Sequence, residues 1–148
     1  MKVGRFNPVD LFLFARALPL ARRAQRARVT PIPALVADLY RHGGGFGGYP
    51  IDRLSLAAER ATARWSSWFG GMNTCLVRSL VLGALLGDRG DVVLNVGFCP
   101  SDDPEPGLTG HAWVTVNSRP VGRDADLAAT RYTRVLEVRY RDSVRDDT

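Results

Sequence analysis

The chain has 148 residues, 45% of them hydrophobic and 24% charged, the size and composition of one globular domain with a buried core and no room for a second. Its net charge of +5 comes from 20 Lys and Arg against 15 Asp and Glu, and because Lys2 is the only lysine the excess is arginine. Aromatic residues do not interleave with these arginines as a nucleic-acid stacking platform requires, and no apolar run reaches the roughly 20 residues of a bilayer span.

Residues 1–30 hold Lys2, Arg5, Arg16, Arg22, Arg23, Arg26 and Arg28 against Asp10 alone, so this end carries +6 and the remainder is close to neutral. A solvated helix face is the simplest use of that charge; contact with an acidic partner or an anionic membrane surface is the other. Asp10 and Arg16 break the apolar run from Val9 to Leu20, which excludes an export signal and makes the cytoplasm the expected location. Cys75 and Cys99 then stay reduced.

In chain order, Asn7-Pro8-Val9-Asp10 predicts a helix start with Asn7 as cap and Pro8 in the first turn, followed by about 20 helical residues. Thr30-Pro31-Ile32-Pro33 interrupts it, and Ala34 to Tyr40 predicts a second, short helix. Arg41 to Pro50 reads as a glycine-rich turn. Gly43, Gly45 and Gly48 have the spacing of a dinucleotide-binding loop, but a helical pattern precedes them and Tyr49-Pro50 follows, which is the wrong context. His42 beside this turn reads as a surface histidine.

Asp52 is the expected cap of a third helix, whose broad apolar face runs through Leu54, Leu56, Ala57, Ala58, Ala61, Trp65, Trp68 and Phe69 to Gly70-Gly71. A fourth helix is predicted over Cys75 to Leu86, after Asn73-Thr74 and before a capping Gly87, with Leu76, Val77, Leu80, Val81, Ala84 and Leu85 buried. Beyond it the hydrophobic period changes to alternation in Val92–Phe98, His111–Asn117 and Arg134–Tyr140, which predicts three strands. The short Asn117-Ser118 connection favours antiparallel pairing. The expectation is an α+β fold, helices first and a small sheet last, in a single domain over 1–148 with a helical part at 1–70 and a core at 71–141.

A thiol attacks a carbonyl as its thiolate, and the start of a helix favours that anion through the dipole and unpaired N–H groups. Cys75 is at such a place. His111 shares a strand face with Trp113 and Thr115 while Ala112, Val114 and Val116 face the core, which leaves the imidazole at the beginning of its strand, able to lean over the cysteine. Asp124, with Asp126 in reserve, follows the short strand segment Pro120-Val121-Gly122 and is placed to orient the histidine. The backbone N–H of Cys75 is the expected oxyanion donor, with Asn73 as a second. Plain packing roles compete for each: a buried hydrophobe for Cys75, a rim histidine for His111, a turn former for Asp124. Cys99, before Pro100, reads as structural. Zinc held by Cys75, Cys99 and His111 lacks the close ligand pairs such sites use, so no metal or other cofactor is expected.

Cys75-Leu76-Val77-Arg78-Ser79-Leu80, a hydrophobic strand ending near Gly97, and Gly110-His111-Ala112-Trp113-Val114 together resemble the transglutaminase-like leader peptidases of lasso-peptide biosynthesis, over about Asn73 to Asp124. The resemblance implies a transglutaminase-like or papain-like fold with the nucleophile helix packed on a small antiparallel sheet. It also implies a cysteine peptidase with a Cys-His-Asp triad, carried here by Cys75, His111 and Asp124. Arg78 and Ser79 become structural partners of the site, and Trp113 packs beside the histidine. Some members begin with a peptide-recognition domain of strands and helix; the first 70 residues here read as helices, which implies a separate leader-recognition protein. The implied substrate is a precursor peptide, and its freed core passes to a macrolactam-forming cyclase.

Overall fold

The computed structural model describes residues 7–44, 46, 48–71, 74–87, 89–101, 107–122 and 130–141. Helix α1 (Pro8–Ala24) starts as the sequence predicts. The Asn7 side chain accepts a hydrogen bond from the Val9 N–H at 2.9 Å, Pro8 occupies the first turn, and Asp10 pairs with Arg53 at 2.8 Å. After Ala24 the chain tightens into a 3-10 turn, Gln25–Arg28. Leu13, Ala17, Leu20, Ala21 and Ala24 form its buried stripe.

Helix α2 (Ile32–Gly43) is longer at both ends than Ala34–Tyr40. Pro33 falls in the first turn, where N–H groups have no partner within the helix, so it opens the helix instead of delaying it. Helix α3 (Ile51–Phe69) has Pro50, not Asp52, at its cap position, and Asp52 lies in the first turn near the positive end of the dipole. Its fully buried stripe of Leu54, Ala57, Ala58 and Ala61 ends at Thr62. The last two turns run past the core, so Trp68 and Phe69 are 56% and 64% exposed and only Trp65, stacked on Phe69 at 4.2 Å, is half-buried.

Helix α4 (Cys75–Leu86) is capped by Thr74, whose hydroxyl accepts the Val77 N–H at 3.2 Å. Every residue from Ser79 to Leu86 is buried, including the two small ones. A helix apolar on all sides belongs inside the fold, and α4 accordingly touches α1, α2 and α3 as well as the sheet.

Strands β1 (Val92–Ser101), β2 (Gly107–Val116), β3 (Arg119–Val121) and β4 (Thr133–Arg139) form one antiparallel sheet in the order β3-β2-β1-β4. Asn117 and Ser118, with φ of 51° and 70°, make the two-residue turn between β2 and β3. Val92, Leu94, Ala112, Val114, Val116 and Val138 bury their side chains in the same core as the helices. The result is the expected α+β arrangement, with the cysteine helix laid on a small antiparallel sheet. One expectation is corrected: His111 is the fifth residue of β2 rather than its first, because β1 continues to Ser101 and its pairing carries β2 back to Gly107. Among the described residues, no helix is long and apolar enough to cross a membrane.

Candidate active site

Cys75 is the first residue of α4 and half-buried. The N–H groups of a first helical turn have no backbone partner within the helix; the Thr74 cap takes that of Val77, and the sulfur sits at the positive end of the helix dipole. From this turn the helix runs across β2, and Ser79, one turn further on, donates its hydroxyl to the Ala112 carbonyl oxygen at 3.2 Å. The cysteine helix is therefore tied directly to the backbone beside His111.

Cys75 and His111 line one cleft of about 460 Å³. Its walls are Ser55, Ala58, Glu59 and Ala63 of α3, Cys75, Arg78, Ser79 and Leu82 of α4, His111, Ala112 and Trp113 of β2, and Val121 and Gly122. The β3 ladder covers β2 only from Val114 to Val116, so the cleft begins where that cover stops. His111 and Trp113, on the strand face turned from the helices, and Ala112, on the face turned toward them, thus border the same space.

Behind the histidine lies a polar and aromatic layer. The His111 ring stacks on Tyr132 with centroids 5.0 Å apart and planes 21° from parallel, and Trp113, 5% exposed, packs against the same tyrosine. Asn95, opposite Trp113 on β1 and fully buried, donates to the Val93 and Trp113 carbonyls and to the Thr115 hydroxyl, while its own side-chain oxygen accepts from Arg134 at 3.2 Å. These bonds join β1, β2 and β4 on the face that carries His111 and satisfy a polar side chain that burial would otherwise penalise.

Of the residues expected from sequence, Cys75, Arg78, Ser79, His111 and Trp113 meet in this cleft. Asn73, Asp124 and Asp126 lie outside the described residues. Sequence reasoning missed Glu59 on the facing helix and Tyr132 and Asn95 in the layer behind the histidine. The one available signal was Gly97, a glycine inside a strand, which marks a close approach of neighbouring groups. Cys99 is a buried free thiol, and among the described residues no three of His, Cys, Asp and Glu gather as a metal would require. His42 is on the surface, its Nδ1 2.8 Å from the Asp38 carbonyl oxygen, and Gly43 ends a helix rather than following a strand.

No curated protein and no solved structure matches the chain. A family model described as the transglutaminase-like superfamily matches residues 10–137, from the first turn of α1 into β4. That match spans most of the chain and takes in the cysteine helix, the histidine strand and the cleft between them, and the chain belongs to the transglutaminase-like superfamily.

Proposed function

We propose that the protein is a cysteine peptidase that removes the leader from a ribosomally made lasso-peptide precursor, acting in the cytoplasm. The observation that carries the proposal is the cleft shared by Cys75 and His111. Membership of a superfamily whose domains are generally of cysteine peptidase or acyltransferase type supports it, and so do the Cys-Leu-x-Arg-Ser and His-Ala-Trp-Val segments.

The Cys75 thiolate attacks the carbonyl carbon at the leader–core junction, and the carbonyl electron pair moves onto oxygen. The Cys75 backbone N–H donates to that oxyanion, with Asn73 as a second donor. As the tetrahedral intermediate collapses, imidazolium His111 protonates the departing amine and the C–N bond breaks, leaving the leader as a thioester. Neutral His111 then takes a proton from water, the hydroxide adds to the thioester, and the leader acid leaves with the thiolate restored. Asp124, or Asp126 in its place, accepts from the other ring nitrogen and fixes its tautomer. The core departs with a free N-terminal amine for a cyclase to join to a side-chain carboxyl. A separate recognition protein presents the leader.

The test is to mix the chain with the precursor encoded beside it, with and without the recognition protein, and to weigh the products. Loss of the leader by the wild-type chain, and none by a Cys75→Ala variant with an unchanged circular dichroism spectrum, is the expected result. Substantial turnover by Cys75→Ala refutes the nucleophile. A mass change of amine exchange or deamidation assigns transglutaminase-type chemistry on another substrate instead, and binding without any mass change assigns a peptide-binding module.

A further inference from the structure

The ring of Tyr132 lies against the ring of His111, close to parallel, and nothing in the local sequence of either strand brings them together. β1 runs between them. Gly97 of β1 pairs with His111 on one side and with Arg134 on the other, and the register against β4 slips at this point. A Cβ at position 97 would come within 2.7 Å of the Thr133 carbonyl oxygen and 3.1 Å of the far edge of the Trp113 ring. Glycine is therefore what allows β2 and the approach to β4 to close over β1, and the closure is what lays Tyr132 on the imidazole.

We propose that Tyr132 is the positioning residue of the site, holding the His111 ring at the orientation from which it serves Cys75 across the cleft. The proposal rests on His111 being the base of the reaction proposed above. An aromatic face within about 6 Å of a cation attracts it, so the same contact favours the imidazolium over the neutral ring. Among the described residues, the other charged or titratable groups around the histidine are Glu59 of α3, Cys75 and Arg78 of α4, Cys99 of β1, and Arg131 and Arg134 beside Tyr132; Asp124 or Asp126 joins them under the proposed mechanism. Arg131 sits over the Tyr132 ring at 6.0 Å from its centroid. Exchanging the tyrosine ring for an aliphatic side chain changes none of their charges, though Arg131 loses its place over the ring, while Tyr132→Phe keeps the ring beneath both Arg131 and His111.

The chain has two histidines, so a proton NMR titration resolves His111 once a His42→Gln variant has identified the other signal. In a Cys75→Ala background, which removes the coupled thiol, Tyr132→Leu and Tyr132→Met should lower the His111 midpoint by about half a pH unit. Tyr132→Phe, which keeps the ring, should leave it in place. The His42 midpoint and chemical shift monitor folding, and two non-aromatic variants of similar bulk guard against one that fails to fold. An unmoved midpoint in a folded Leu or Met variant, or a Phe variant that moves as far as Leu, overturns the proposal. Because the readout uses no substrate, a positive titration with no leader cleavage sinks the peptidase reading alone, and cleavage with an unmoved midpoint sinks only the role of Tyr132.

Discussion

Ser79 stands one helical turn from Cys75, and its hydroxyl reaches the Ala112 carbonyl, one residue from His111. This bond links the helix of the one proposed reacting side chain to the strand of the other. Ser79→Ala leaves that carbonyl without this donor in a buried place and should cost about 1–2 kcal/mol, read as a lowered urea midpoint with an unchanged slope. Under the peptidase reading kcat should fall while KM stays near its wild-type value, since the hydroxyl proton is committed to the Ala112 carbonyl. A variant as stable and as fast as the wild type would remove Ser79 from the site's support. At this scale the sequence was informative about the residues proposed to react, which line the cleft, and silent about those behind them. A cysteine at a helix start and a histidine in an alternating strand are local patterns. The His111–Tyr132 stack and the Asn95 bonds depend on which strands lie side by side, and local periodicity carries no record of that.

The cysteine helix is held to the end of β4, the edge strand across the sheet from the cleft, by Tyr140. Fully buried, it follows β4 and donates its hydroxyl to the Leu80 carbonyl at 2.9 Å, and burial pushes its phenol well above the ordinary value near 10, so the proton stays on. Its ring lies directly on Gly83, where any side chain would collide with it. Gly83→Ala should therefore destabilise the fold by about 1–3 kcal/mol despite the better helix propensity of alanine, and thermal or urea denaturation measures the sign. Tyr140→Phe keeps the ring and loses the bonds, with an expected cost of about 1 kcal/mol. If Gly83→Ala stabilised the chain instead, the ring would not be where the structure has it. Element identities followed from periodicity, all four helices and the strands after them. Boundaries failed where tertiary or positional effects decide: Pro33 opening α2, Pro50 taking the cap position from Asp52, and β1 drawing β2 back to Gly107. The tryptophan face of α3 was misjudged because amphipathic spacing says which side of a helix is apolar but not where its neighbours stop.

For the molecule as a whole, the two thiols report on opposite ends of the same architecture. Cys75 opens onto the cleft and Cys99 is 7% exposed in the long central strand, both free. Cys99 lies on the face of β1 that carries Asn95 and is turned from the helices, so its sulfur is reached when that buried layer opens, with the helices still in place on the other face. Alkylation of the native chain, followed by peptide mass mapping, should label Cys75 at least about tenfold faster than Cys99, whose sulfur is reached only when the buried layer around it opens. In increasing urea, Cys99 labelling should rise no later than helical circular dichroism is lost, since opening of the face turned from the helices is enough to expose it. Equal rates in the native chain would mean that this face of β1 stands open, against the burial of Cys99 in the structure. The support beneath His111, from Gly97 through Asn95 to Tyr132, is built on that strand, so a thiol that is slow at position 99 is also a measure of how firmly the imidazole is held.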